Sequence, residues 1–198
     1  MKLRDLEIAL ERLEGFDEPR VDLEQYETPA ALAARVVHHA DLQGELDRVV
    51  DLGCGPGVFS VAAALRGARV LAVDVDPDAL DVMRSNLAMT DVEDAVEVVR
   101  ADVRRSPLLP MEDATVLMNP PFGAQDRGAD RAFLDVAADV ADVAYSVHNE
   151  GSQDFLETYV DGRVTRSFSA EIEIPRTYDF HVDDVRKQNV EVVRLEFD

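Results

Sequence analysis

Four consecutive residues, 119–122, read Asn-Pro-Pro-Phe and combine a side-chain amide, two prolines and an aromatic ring. The prolines stiffen the loop and remove two backbone donors, which leaves carbonyl groups free to accept from a substrate. A planar amine is a poor nucleophile because its lone pair is delocalised. If the Asn119 side-chain oxygen and the Pro120 carbonyl each accept one N–H, the lone pair is directed toward an incoming methyl group. The tetrapeptide therefore predicts methylation of a planar amine by Asn119, Pro120 and Pro121, with Phe122 as a surface on which a flipped base stacks.

A glycine-rich loop at residues 51–57 reads Asp-Leu-Gly-Cys-Gly-Pro-Gly and follows a predicted strand. Glycines let the backbone turn sharply and approach a ligand, and the next helix N-terminus offers unpaired N–H groups. A dinucleotide site of the Gly-x-Gly-x-x-Gly type would need glycine at position 58, where this chain has Val58. Asp51 would repel a pyrophosphate but suits a ligand with ammonium and sulfonium charges, which predicts S-adenosylmethionine. The loop residues predicted to bind it are Asp51, Gly53, Gly55 and Gly57.

Two further acids follow the next predicted strands. Asp74 ends the second strand about twenty residues after the glycine loop, where a ribose hydroxyl pair would be held. Asp102 comes directly after the third strand, and the tetrapeptide follows the fourth. Ligands of open parallel sheets bind at the carboxyl edge of the strands, so these residues are expected to share one site.

The elements that must position these residues are short β-branched runs alternating with helical stretches. The predicted strands are 48–52, 69–74, 96–100, 114–118 and 143–147, and the predicted helices between them are 58–65, 77–89 and 130–138. Residues 169–174 and 190–197 alternate polar and apolar side chains, which predicts an antiparallel pair closing one end of the sheet. The predicted fold class is a Rossmann-like α/β fold with a seven-stranded, mostly parallel sheet and an antiparallel C-terminal strand pair.

A helical lead-in precedes the sheet. Leucines at helical spacing predict an amphipathic helix over the first dozen residues, and Thr28 is predicted to cap a second helix that runs to about Ala40. The chain of 198 residues is predicted to form one domain, residues 1–198. Within it, residues 1–45 are the lead-in that helps to close the cofactor site, and residues 46–198 form the catalytic sheet.

The charge balance is extreme, with 20 basic against 41 acidic residues, a net charge of -21 and a pI near 4.4. A hydrophobic content of 46% excludes an acidic disordered chain. Only Lys2 and Lys187 are lysines, and acids occur throughout the sequence. This pattern predicts adaptation to concentrated salt, which screens repulsion between surface carboxylates. An ordinary acidic cytosolic enzyme is the alternative, and a melting curve against KCl distinguishes the two because only the former is stabilised by molar salt.

The cysteine and histidine content predicts a reducing compartment and no metal. Cys54 is the only cysteine, so no intrachain disulfide is possible, and the N-terminus lacks the apolar stretch of a signal peptide. We therefore expect a cytoplasmic protein. The histidines share no metal-binding spacing with Cys54 or with one another. They are His38, His39, His148 and His181.

At this point the motifs resemble those of the Asn-Pro-Pro-Phe class I methyltransferases. More narrowly, the chain is similar to the methyltransferase-like-five group, adenine-N6 methyltransferases of small-subunit ribosomal RNA, in a version typical of halophilic archaea. The resemblance extends over nearly the whole chain. Its more specific parts are Leu-Glu-Gln-Tyr at residues 23–26 and Tyr-Ser-x-His at residues 145–148, and it includes Tyr178, Phe180 and His181 near the closing strand pair.

The resemblance implies roles for residues of the cofactor site. Gln25 and Thr28 are expected to close over S-adenosylmethionine, and Gly53 and Pro56 to line it. Asp74 is expected to hold the ribose and Asp102 to meet the adenine amine. The remaining residues that it places at the cofactor are Val75, Val103 and Asn119.

The resemblance also implies a partner, the small zinc-binding methyltransferase activator protein. In the usual strand order the strand 96–100 lies at a sheet edge, and an apolar edge invites pairing with another chain. Eukaryotic relatives carry lysines near the tetrapeptide and after Tyr-Ser-x-His, where this chain has Gln125, Asp126, Arg127 and Asn149. The candidates for phosphate contacts are Arg127, Arg131, Arg176 and Lys187, and solvated side chains paired with neighbouring acids are the alternative.

The predicted activity is S-adenosylmethionine-dependent methylation of adenine N6 in RNA, with small-subunit ribosomal RNA as the expected substrate. Protein-glutamine N5 methylation is an alternative, although those enzymes usually have Tyr in place of Phe122 and a larger helical lead-in. Guanine-N2 and DNA adenine-N6 methylation also remain open, because the tetrapeptide alone does not exclude them. Val58 disfavours a nicotinamide-dependent oxidoreductase, and the intact tetrapeptide disfavours a non-catalytic partner module.

Overall fold

The computed structural model describes residues 1–123, 128–175 and 185–197, with side chains described except at 173–175, 185 and 186. The helices are α1 Leu3–Leu10, α2 Ala30–Gln43, α3 Val58–Leu65, α4 Pro77–Thr90, α5 Ala129–Val140 and α6 Gln153–Tyr159. The strands are β1 Arg48–Leu52, β2 Arg69–Asp74, β3 Val96–Arg100, β4 Ala114–Met118, β5 Val143–Asn149, β6 Gly162–Pro175 and β7 Val185–Phe197. Among the described residues, no helix is both long enough and apolar enough to cross a membrane.

The seven strands form one sheet in the order β3-β2-β1-β4-β5-β7-β6. Neighbours among the first five pair in parallel, whereas β7 pairs antiparallel with both β5 and β6. The predicted fold class is therefore confirmed, including the antiparallel pair at one end and the placement of β3 at the opposite edge. The reversal of strand order between β1 and β4 opens a crevice at the carboxyl ends of these strands.

The core lies in two layers, one on each face of the sheet. One layer joins buried side chains of α1, α2, α3 and α4 to the sheet, and the other joins those of α5 and α6 to the opposite face. Strand β4 is buried at all five positions, as expected for a central parallel strand covered by helices on both sides. This double covering fixes the strand ends, and with them the site, on a rigid support.

Apart from shifts of one or two residues at the ends of elements such as α5 and β5, the structure differs from the sequence prediction at three places. Strands β6 and β7 are longer than the predicted 169–174 and 190–197, and a register shift between Val164 and Arg166 breaks the alternation at the start of β6. Helix α6 was not predicted, because its seven residues are too few to establish a helical period. The predicted cap of α2 was wrong: Pro29 occupies the N-cap position without a side-chain cap bond, and the Thr28 hydroxyl accepts a hydrogen bond from Asn119 instead.

Candidate active site

Two adjoining cavities of about 180 and 210 Å³ lie at the carboxyl edge of the parallel strands. The walls that they share come from the lead-in, the glycine loop and the tetrapeptide: Phe16, Tyr26, Gly53, Gly55 and Asn119. The first cavity also contains the predicted residues Gln25, Asp74, Val75, Asp102, Val103 and Pro121, and the second contains Thr28 and Pro56. The structure therefore brings most of the predicted set together. The predicted residues that line neither cavity are Asp51, Gly57, Pro120 and Phe122.

The glycine loop forms a cradle that side chains would fill. Gly55 has a φ of +51°, and a Cβ there would lie 2.8 Å from the Phe16 ring across the shared wall. At Gly53 a Cβ would lie 2.9 Å from the ring of Phe133. Gly57 has a different role, since a Cβ there would meet Met83 of α4 at 2.7 Å, on the core side of the loop. Glycine is thus required at 53 and 55 because a Cβ would strike the Phe133 and Phe16 rings of the cavity walls, and at 57 for packing against α4.

Asp74 is a half-buried carboxylate of the first cavity wall. It accepts the backbone N–H of Gly55 at 2.8 Å and that of Asp76 at 2.9 Å, so it also fixes the loop on each side of it. Burial raises its pKa above the ordinary value for an aspartate. A carboxylate with both oxygens anchored and one side on a cavity is suited to accept the hydroxyls of a ribose.

Asp102 lies on the same wall, where its side chain is more accessible to solvent. Its carboxylate receives the Arg104 guanidinium at 2.9 Å and the Arg104 backbone N–H at 3.0 Å. The hydrogen bonds from Arg104 lower the pKa of Asp102, which keeps it ionised and able to accept an N–H from a ligand.

Asp51 lies behind the glycine loop. It is 1% exposed and accepts the Ser60 hydroxyl at 2.5 Å, and burial raises its pKa to about 7. The Asp51 side chain lies under α3 and lines neither cavity. The prediction that it contacts the cofactor directly therefore needs correction. Any electrostatic effect of Asp51 on a cationic ligand acts across the glycine loop and not through a direct contact.

The lead-in lies over both cavities and is fastened at several points. Gln25 donates from Nε2 to Asp76 Oδ2 at 2.7 Å and accepts the Arg20 backbone N–H at 2.7 Å. Thr28 accepts from the Asn119 amide at 3.0 Å. Gln25 and Thr28 are the residues that the family resemblance assigned to closure over the cofactor. Gln25 is thus attached to Asp76, the N-cap of α4, and Thr28 to Asn119, the residue after β4.

The tetrapeptide presents an unused acceptor. Asn119 donates from Nδ2 to Thr28, and its Oδ1 is buried without a hydrogen-bond partner among the described residues. A buried carbonyl oxygen of an amide is costly to leave unpaired, so this atom indicates a place for an external donor. Pro121 lines the first cavity, and Pro120 is buried beneath the loop.

Phe122 was predicted to present its ring to a flipped base, but it lines neither cavity. Its ring is nearly parallel to that of Tyr26, with an interplanar angle of 13° and ring centroids 6.0 Å apart. Tyr26 lines both cavities. The aromatic rings that line both cavities are therefore Tyr26 and Phe16, and Phe122 stacks on Tyr26.

The sequence reasoning missed Asn86, a buried residue of α4 that ties the lead-in to the glycine loop. Its Oδ1 accepts the Glu14 backbone N–H, and its Nδ2 donates to the backbone carbonyls of Glu14 and Pro56, all at 2.9 Å. The available signal was a polar residue within the apolar stripe of α4, next to Leu87 and three residues after Met83.

We expect replacement of Asn86 by alanine to weaken cofactor binding by about tenfold, because three hydrogen bonds that hold the lead-in against the loop are lost. Isothermal titration with S-adenosylhomocysteine measures the effect. The matched control is Ser85→Ala, an exposed change on the same helix, which should bind normally. Normal binding by Asn86→Ala would show that the lead-in closes without this residue.

Other predicted residues lie away from the cavities or outside the described part. Arg131 lies over the rings of Phe155 and Tyr159, and Lys187 pairs with Glu171 at 2.6 Å. His148 is buried, bonds to Ser146 at 2.7 Å, and has a pKa lowered to about 4 by burial. The residues outside the described ranges are Gln125, Asp126, Arg127, Arg176, Tyr178, Phe180 and His181.

The cavity residues suit S-adenosylmethionine. Gly53 and Gly55 line both cavities without side chains, Asp74 and Asp102 supply acceptors, and the unpaired Asn119 oxygen marks the end where a methyl group would be received. The fold and the site together define a Rossmann-like methyltransferase, whose cofactor is S-adenosylmethionine.

Comparison with known proteins gives the family. Residues 32–144 match the methyltransferase small domain. The rRNA N(6)-adenosine-methyltransferase Mettl5 of Drosophila melanogaster is 37% identical over 99% of this chain and 97% of its own. The rRNA N(6)-adenosine-methyltransferase METTL5 of Danio rerio is 36% identical over 97% of this chain and 95% of its own. The crystal structure of PH1948 from Pyrococcus horikoshii superposes with a TM-score of 0.90 at 35% identity, covering 100% of this chain and 98% of that one. The chain therefore belongs to the methyltransferase small domain family, in its methyltransferase-like-five group.

Proposed function

We propose that this protein transfers the methyl group of S-adenosylmethionine to N6 of an adenine in RNA, and that the substrate is small-subunit ribosomal RNA. The observation that carries the proposal is the buried, unpartnered Oδ1 of Asn119 beside the cofactor cavity. The names of the Drosophila and zebrafish relatives, both rRNA N6-adenosine methyltransferases, support the choice of RNA and of N6.

The site residues act on the amine by orienting it. Asn119 Oδ1 accepts one N–H of the adenine amine and the Pro120 carbonyl accepts the other, so the nitrogen becomes more pyramidal and its lone pair is withdrawn from conjugation and directed at the methyl group. The bound cofactor supplies an electrophilic methyl group on a sulfonium, which is a good leaving group. A strong general base is therefore unnecessary, and the amine proton passes to water after the transfer.

The base is held by stacking. We propose that it stacks on Tyr26 from the cavity side, with Phe122 supporting Tyr26 from behind. A base on an aromatic ring is worth about 1–3 kcal/mol and is little affected by salt. Stacking and amine contacts thus allow a chain with a net charge of -21 to recognise RNA with few phosphate contacts.

Tritiated S-adenosylmethionine tests the substrate class. The protein is incubated separately with small ribosomal subunits, total DNA and a release factor, each at low and at molar KCl. The proposal predicts label in ribosomal RNA at both salt concentrations. Label confined to release factor would identify a glutamine methyltransferase, and label confined to DNA a DNA adenine methyltransferase.

We also propose that a small zinc-binding methyltransferase activator protein pairs with the edge strand β3. This edge has half-buried Val98 and Val99, and Val75 and Met89 nearby are 38% and 52% exposed. Apolar groups beside an open row of backbone donors and acceptors favour strand addition. Co-expression should raise soluble yield and give a 1:1 complex by size-exclusion chromatography with light scattering. A soluble, monomeric and fully active isolated subunit would contradict the partner proposal.

A further inference from the structure

The side-chain amide of Asn119 works in only one of its two orientations. Its oxygen accepts hydrogen bonds, whereas its nitrogen only donates them. If the nitrogen faced the target amine, two N–H groups would oppose each other. The side-chain torsion that exchanges the two ends is broad and roughly two-fold, so something must favour the productive orientation.

Thr28 contributes to this by pairing with the nitrogen end of the amide. Its Oγ1 lies 3.0 Å from Asn119 Nδ2, across 91 residues of sequence. The hydroxyl is not used to cap α2, whose N-cap is Pro29. When an amine N–H occupies the oxygen end, the Thr28 hydroxyl satisfies the nitrogen end, and both ends of the buried amide are then paired. A hydroxyl can also donate, so the target amine selects the oxygen end, and Thr28 supplies the acceptor that this orientation requires at the nitrogen end. Without the hydroxyl, the productive orientation would leave a donor unsatisfied.

The same short segment is fastened to the rest of the site. Gln25 bonds to Asp76 beside the cofactor loop, and Tyr26 stacks on Phe122 of the tetrapeptide. Thr28 therefore approaches Asn119 from a segment that is attached both to Asp76, near the cofactor loop, and to Phe122, in the tetrapeptide.

From this geometry we infer that Thr28 is a positioning residue for Asn119, which anchors the nitrogen end of the amide while the oxygen end receives the target amine. This role goes beyond closure over the cofactor, and it rests on the proposed amine methylation.

The test compares Thr28→Val, which keeps the shape but loses the hydroxyl, with Thr28→Ser, which keeps the hydroxyl. We expect Thr28→Val to lower kcat on small ribosomal subunits by tenfold or more, with KM for RNA and Kd for S-adenosylhomocysteine within about threefold of wild type. Thr28→Ser should restore kcat to within about threefold. The side-chain NH₂ signals of Asn119, identified by their loss in Asn119→Ala, should shift in Thr28→Val and return in Thr28→Ser.

The outcomes separate this inference from the proposed function. If wild type methylates RNA and Thr28→Val keeps its kcat, or loses S-adenosylhomocysteine affinity in place of kcat, Thr28 is not a positioning residue. If wild type does not methylate RNA, the proposed function fails, while the NH₂ signals still report whether Thr28 holds the amide.

Discussion

Replacing Asn119 by alanine should lower turnover by at least about a hundredfold while leaving S-adenosylhomocysteine affinity within about threefold. The amide oxygen is the one buried side-chain acceptor of the tetrapeptide that is free to receive the target amine among the described residues. Without this oxygen, the target amine is no longer oriented and its lone pair is no longer directed at the methyl group. Losing such a contact to a reacting group lowers turnover by up to about two to three orders of magnitude.

The affinity for the cofactor should persist because the cradle and the ribose carboxylate belong to other strands. Gly55 donates its backbone N–H to Asp74, and Asn119 takes no part in this hydrogen bond. Single-turnover kinetics with excess enzyme isolates the chemical step, and isothermal titration gives the affinity. Asn189→Ala, at an exposed asparagine of β7, is the control and should remain active. Undiminished turnover in Asn119→Ala would remove this residue from the mechanism, and loss of cofactor binding would reassign it to the cofactor.

The second large effect concerns Asp51 and is an effect on stability. We expect Asp51→Asn to raise the free energy of unfolding relative to wild type by up to about 4 kcal/mol at pH 8, because asparagine keeps the acceptor for Ser60 without a buried charge. At pH 4 the two proteins should differ little, since the wild-type carboxyl is then protonated in the folded state.

The sign of this effect follows from the raised pKa. Burial raises the pKa of Asp51 to about 7 in the folded protein, from 3.8. Between these values the folded state binds more protons than the unfolded state, so the contribution of this group to stability falls as pH rises from about 4 to 7. In Asp51→Asn that contribution is absent, and the difference between the proteins should grow through this window.

Urea unfolding at pH 4, 6 and 8 measures the difference for each protein. Asp47→Asn, an exposed aspartate just before β1, serves as the control and should track wild type at every pH. A difference between Asp51→Asn and wild type that is constant with pH would show that Asp51 does not titrate in this range.

Four of the five strands that pair in parallel were predicted to the residue, and the fifth, β5, extends two residues beyond its predicted end. Strands β1 to β4 are short β-branched runs bounded by Gly, Asp or Pro, and their observed bounds match the predicted ones. Burial on both faces makes such strands continuously apolar, which is a strong local signal. The hairpin β6–β7 is different, because its register shift after Val164 depends on pairing between strands and leaves no regular pattern in the sequence.

The site was predictable where it depends on strand ends, and less so where it depends on side-chain direction. Asp74 and Asn119 lie at the cavities because Asp74 ends β2 and Asn119 follows β4, the two parallel strands that flank β1. Asp51 sits inside β1 and points under α3, a choice between two faces that one strand position does not reveal. Asn86 was missed because its partners are 72 and 30 residues away, and Tyr26 covers Phe122 only through the path of the lead-in.

The most direct test of the account is nucleoside analysis of a defined substrate. Small ribosomal subunits from cells that lack the gene are incubated with S-adenosylmethionine and either wild-type protein or Asn119→Ala, and the RNA is digested and examined by mass spectrometry. The account predicts N6-methyladenosine formed by wild type and none formed by Asn119→Ala. No N6-methyladenosine with wild type and its activator partner present, or equal amounts with both proteins, would contradict it.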